Sequence, residues 1–167
     1  MLDPKKREGY NTGDRRFLEI VDEFGWHVMN VAPRVDSKDK KEWFSYSTGL
    51  FRAFGHPEIL LCGLDSSTAH RVINDIGKEV KAGRTFEIET SYDGIFADGV
   101  RCQFQSVNKG NYADYVGWAM WFYEGSEFPV WQCFWPDRSG LYPWEKECDP
   151  FVVEVQPQLY KFQGTIM

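Results

Sequence analysis

The run EILLCGL, from Glu58 to Leu64, has no polar side after its first residue. A strand sends successive side chains to opposite faces of its sheet, so an unbroken apolar run of this length belongs in a central strand covered by helices on both sides. The clearest helix follows at once. Asp65 or Ser66 caps it, Ala69, Val72, Ile73, Ile76 and Val80 form one apolar stripe, and Gly83 stands where a helix ends.

The rest of the chain reads as further strands and short helices. Asp14 caps a helix in which Phe17, Leu18, Val21 and Phe24 recur at helical spacing, Gly25 stops it, and Trp26 to Val31 is a strand. VAPRVDSKDKKEW is a surface connection, and the strand-like composition returns from Trp43 to Leu50, followed by a turn in FRAFGHP. Phe86 and Ile88 alternate with Glu87 and Glu89, and after an SYDG turn Val100, Cys102 and Phe104 alternate with polar residues, which predicts two half-exposed strands. Tyr112 to Tyr123 has helical spacing despite Gly117, Val130 to Trp135 is a strand, PDRSG turns the chain, and DPFVVEVQ begins a final short helix with Pro150 in its first turn. The predicted fold class is α+β, a single domain with a mixed, mostly antiparallel sheet packed against two or three helices. Residues 1–13 are expected to be a flexible arm and 14–167 the domain, with a core of about 25–160.

At 167 residues the chain suits one domain with its own core. Its formal charge of −6 argues against nucleic acid, which requires a basic stripe; an acidic surface could attract a basic protein partner, and its simpler role is solvation. Aromatic residues make up 17% of the chain, enough to supply binding surface as well as core. Cys62, Cys102, Cys133 and Cys148 show no metal-ligand spacing, and Cys62 in LLCGL reads as buried and inert. With no signal-peptide pattern and no apolar stretch long enough for a bilayer, the expected setting is the cytoplasm, with no membrane contact.

Two turns bear the candidate chemistry. In FGHPE, Pro57 fixes the direction of His56, and Glu58 could orient it as a general base or metal ligand; the simpler role is that His56 bonds a backbone carbonyl and Glu58 caps or pairs locally. In the second, Asp137 and Arg138 follow an aromatic strand holding Trp131 and Trp135, so an arginine fork beside an indole could grip a planar anion, while Asp137 also suits an ordinary turn. The binding candidates are therefore His56, Glu58, Trp131, Trp135, Asp137 and Arg138. His27 and His70 add no metal set, no nucleophile elbow surrounds Ser45, Ser47 or Thr48, and no phosphate-cradling glycine loop occurs. No catalytic residue, metal or cofactor is assigned.

GWHVMNV, FSYSTGLFRAFGHPEILLCGL, the helix ending in KAGR, DYVGWAMWFYEGSEFPVWQCFWPDRSGLYPW and DPFVVEVQPQLY, taken in order, resemble the bacterial domain of unknown function 4262 family over about 25–160. The resemblance implies no catalytic residues. Small acidic, aromatic-rich domains of this type look like some immunity proteins that neutralise secreted toxins. The leading expectation is thus a non-enzymatic protein-binding module, such as a toxin-neutralising immunity protein. The alternative is a small enzyme or ligand-binding domain with a pocket between the FGHPE and WPDRSG turns.

Overall fold

Every residue of the strand Glu58–Cys62 is buried, and the reason lies in what covers its two faces. Ile59 and Leu61 pack into one cluster with Ala69, Val72, Ile73 and Ile76. Leu60 and Cys62 pack into another with Tyr112, Val116, Ala119 and Phe128. Complete burial of each large aliphatic side chain contributes roughly 1.5–3 kcal/mol, so this strand joins two cores that neither face could sustain alone.

The computed structural model describes residues 11–32 and 43–163. Its strands are β1 (His27–Val31), β2 (Phe44–Thr48), β3 (Glu58–Cys62), β4 (Ser91–Tyr92), β5 (Cys102–Ser106) and β6 (Val130–Phe134). They form one six-stranded sheet in the order β1-β2-β3-β6-β5-β4. All neighbours are antiparallel except β3 and β6, which run parallel. The α helices are α1 (Thr12–Phe24), α2 (Leu50–Phe54), α3 (Ser66–Lys81), α4 (Tyr112–Tyr115), α5 (Gly117–Tyr123) and α6 (Pro150–Val155). The α+β class and the mixed, mostly antiparallel sheet agree with expectation.

Local chemistry explains most element boundaries. Asp65 caps α3 by accepting the Thr68 amide at 3.0 Å, and the predicted stripe is the buried one. α1 begins earlier than expected. Asn11 is its cap and Asp14 the reciprocal partner three residues on, a capping box in which each side chain takes the other's amide. Asp14 also accepts the Trp118 indole at 2.9 Å, which ties α1 to α5. The expected arm therefore gives way to helix at Thr12, while residues 1–10 and the surface connection at 33–42 lie outside the described residues.

Three other expectations are corrected. FRAF in the supposed turn forms α2, and the left-handed Gly55 ends it. Phe86 to Glu89 is not a strand; Phe86 is buried but Ile88 is 40% exposed, and Glu89 adopts φ 59°, so the alternation does not describe one pleated face. The strand comes later, at Ser91–Tyr92, in the segment predicted to turn. The expected helix from Tyr112 to Tyr123 breaks at Val116 (φ −119°, ψ 45°) into α4 and α5, and the Trp118 amide bonds instead to the Tyr46 hydroxyl at 3.1 Å.

Gly49 joins β2 to α2 at φ 120°, and a Cβ placed there would lie 2.3 Å from the Gly25 carbonyl oxygen. Both the left-handed backbone and the contact oppose a side chain. Gly49→Ala is expected to lose about 3 kcal/mol of stability, read as a lower urea midpoint with an unchanged slope.

Candidate functional site

Glu58 opens β3 at the end of FGHPE, and its carboxylate is fully buried. Its Oε1 accepts the Ser47 hydroxyl at 2.7 Å and the Leu50 amide at 3.2 Å. Its Oε2 accepts the Gly49 amide at 2.9 Å, the Phe51 amide at 3.2 Å and the Tyr123 hydroxyl. The three amides belong to the start of α2, where a helix has no internal partners for its first N–H groups. The three amides can only donate, and the hydroxyls extend the network, Ser47 Oγ accepting the Ile59 amide at 2.9 Å and Tyr123 Oη the Arg52 amide at 3.2 Å. Burial pushes the Glu58 pKa up, and the Tyr123, Ser47, Gly49 and Phe51 bonds pull against it. Burial and the neighbouring Glu58 raise the Tyr123 pKa as well. The group is a buried junction of β2, α2, β3 and α5 rather than a base open to substrate.

His56 takes the simpler of its two expected roles. Its Nδ1–H donates to the Pro57 carbonyl at 2.8 Å, and its ring packs edge-on against Trp131 at 5.3 Å and Phe86 at 6.0 Å. That bond places the proton on Nδ1 and leaves Nε2 buried without a hydrogen-bond partner. Burial, the larger influence, lowers its pKa, and the Pro57 carbonyl bond pulls against it.

The second turn is likewise held by its own backbone. Asp137 accepts the Ser139, Leu141 and Asp149 amides, each at 2.9 Å, and these bonds hold its carboxyl below the usual range. Trp135 donates its indole N–H to the Cys62 carbonyl at 2.9 Å, and its backbone is bonded on both sides by the Gln156 amide group. Arg138 is exposed beside a cleft of about 420 Å³ that Arg101 and Tyr142 also line.

The two turns do not converge on a pocket, which corrects that alternative expectation. β3 and β6 are parallel, with Glu58 beside Val130, so FGHPE precedes one strand and WPDRSG follows the far end of its neighbour. The length of β6, at about 3.3 Å per residue, puts more than about 13 Å between them. Of the six candidates, His56 and Trp131 meet at one end; Trp135, Asp137 and Arg138 lie towards the other; Glu58 is enclosed.

A different feature was not anticipated. α1, β1 and α3 enclose a groove of about 550 Å³. Arg16, Ile20 and Phe24 come from α1, Trp26, His27 and Val28 from β1 and the residue before it, and His70, Asn74, Lys78 and Lys81 from α3. Each helix contributes a ridge at i, i+4, i+8 spacing, which the sequence displays, but only folding turns the two ridges towards each other. Arg15 and Arg71 pair with Glu19 and Asp75 four residues on, whereas Arg16, Lys78 and Lys81 have no ion pair with a described residue. The His27 ring stacks on Phe17 at 4.4 Å. Burial, then His70 and Arg16, pushes its pKa down to about 4.

This is an open-sheet α+β domain whose two ionisable turns are bonded to their own backbone and which carries a groove of mixed lining at its edge. The family model for the domain of unknown function 4262 matches residues 20–149, and the chain belongs to that family. No curated protein and no solved structure matches it. Among the described residues no group of His, Cys, Asp or Glu is placed to hold a metal ion, and no helix is long and apolar enough to cross a membrane.

Glu58→Gln puts an amide N–H against fixed donors and is expected to lose about 3 kcal/mol in chemical unfolding, against about 1–2 kcal/mol for Tyr123→Phe, which removes one donor. His27 supplies a pH test. Its folded pKa, about 4, lies below the ordinary 6.5, so the unfolded chain binds the proton more readily. Its contribution is complete above pH 6.5 and is lost as pH falls through about 4. Stability measured across that window is expected to fall more steeply in the native chain than in His27→Gln.

Proposed function

We propose that the chain is a non-enzymatic binding module that recognises another protein, and that toxin neutralisation by an immunity protein is the particular form of this activity. The observation that carries the reading is a pair of exposed rings. Phe24 and Phe54, 53% and 37% exposed, flank Gly25, and the Phe54 ring meets the Trp26 edge at 6.2 Å. An added Cβ on Gly25 would lie 3.2 Å from the Phe54 ring, so that ring rests on the backbone between Phe24 and Trp26. Rigid exposed aromatics of this kind are effective anchors at protein interfaces.

Charge adds to the reading. Asp22 and Glu23 are exposed next to Phe24, and Asp22 holds Arg52 at 3.1 Å on the same side as Phe54. Such carboxylates, with a net charge of −6, would steer a basic partner towards the rings. In this reading Glu58, His56, Trp131, Trp135 and Asp137 support the fold, and Arg138 keeps an exposed guanidinium for a peripheral contact.

The test compares the native chain with a Phe24→Asp/Phe54→Asp variant of matching circular dichroism. The native chain is expected to form a complex with the toxin encoded beside its gene and to protect cells that express it. The variant is expected to bind about thirtyfold or more weakly and to lose protection, since loss of an interface anchor costs about 2 kcal/mol. Equal protection by both proteins, or none by either, would reject the proposal.

A further inference from the structure

We propose that the groove between α1 and α3 binds a small amphiphilic anion, with an apolar body seated on Trp26 and Val28 and a carboxylate head attracted by the cationic rim to which Arg16, Lys78 and Lys81 contribute. This goes beyond protein recognition, because it requires no second macromolecule.

The volume, about 550 Å³, falls in the range of roughly 300–1,000 Å³ typical of small-ligand sites. Its floor is firm and dry in character. Trp26 and Val28 are buried, and the Trp26 ring lies so close to α3 that a Cβ on Gly77 would come within 2.5 Å of it. The one polar atom of that ring is already satisfied, since Nε1 donates to Asn74 Oδ1 at 2.9 Å. A ligand therefore meets an apolar surface held in one position, which reduces the ordering cost of binding.

The rim is cationic. Among the described residues no carboxylate lines the groove, although the chain as a whole carries a charge of −6. Arg16, Lys78 and Lys81 have no ion pair with a described residue, whereas Arg15 and Arg71 on the same two helices are paired. Cations that have no ion pair with a described residue favour an incoming anion, and the guanidinium fork matches a carboxylate.

Two probes with the same tail separate head from body: dodecanoate and dodecyltrimethylammonium, each added to the purified full chain below its micelle concentration. Calorimetry and tryptophan emission are expected to show saturable binding of dodecanoate, and binding of the ammonium weaker by about tenfold or more. Lys78→Glu/Lys81→Glu is expected to weaken dodecanoate by a similar factor and improve the ammonium, with unchanged melting. Arg15→Glu/Arg71→Glu, which alters paired cations outside the groove, is expected to leave both as they were. Arg16→Gln, expected to weaken dodecanoate alone, provides the reading if the double lysine variant does not fold. Equal binding of the two heads, dodecanoate binding indifferent to Arg16, Lys78 and Lys81, or no binding at all would overturn the proposal. Phe24 belongs to both surfaces, but these probes and variants leave it and Phe54 unchanged and use no partner protein, so such a failure leaves the protein-recognition reading to its own test.

Discussion

A single carboxylate, enclosed at the start of the central strand, determines how four elements meet. Glu58 gathers the Ser47 hydroxyl of β2, three amides at the head of α2 and the Tyr123 hydroxyl of α5. A buried carboxylate without partners would cost several kcal/mol, and the first amides of a short helix would be costly if buried unpaired. Each need answers the other. Because the donors come from separate stretches of chain, the bonds form together only when β2, α2, β3 and α5 are all in place, which gives this junction specificity as well as stability.

Around that junction the sheet divides the apolar residues between two cores. Alternation along β3 sends Ile59 and Leu61 to the α3 side and Leu60 and Cys62 to the α4–α5 side. The parallel pairing of β3 with β6 then separates the two turns, since parallel strands begin at the same end and leave at the other. His56 and Asp137 consequently serve their own neighbourhoods, one bonded to the Pro57 carbonyl and the other to three amides of its turn and of the α6 cap. These groups are engaged by backbone, whereas at the edge of the sheet Phe24 and Phe54 are exposed and the α1–α3 groove opens beside Phe24.

The limits of sequence reading can be seen at particular residues. Asp65, Pro150 and the stripe from Ala69 to Val80 were legible because capping and helical periodicity are local. Phe86 and Ile88 misled because alternation was taken for a pleat, whereas the left-handed Glu89 and the later pairing of Ser91 and Tyr92 with β5 set the backbone. Val116 broke an otherwise plausible helix because a hydroxyl distant in sequence, that of Tyr46, could take the Trp118 amide. Family membership was also legible, since the order of motifs is a property of the chain alone.

The amino-acid sequence thus determined the class of fold, the buried central strand, the caps and the turn residues, all of which depend on neighbours within a few positions or on a simple period. Tertiary structure decided which charges are isolated, which aromatic rings remain exposed, and whether two chemically suggestive turns share a site. Those outcomes depend on strand order and direction and on which helix ridge faces which. Such relations are established by contacts between residues far apart in the chain, whose mutual placement no local pattern encodes.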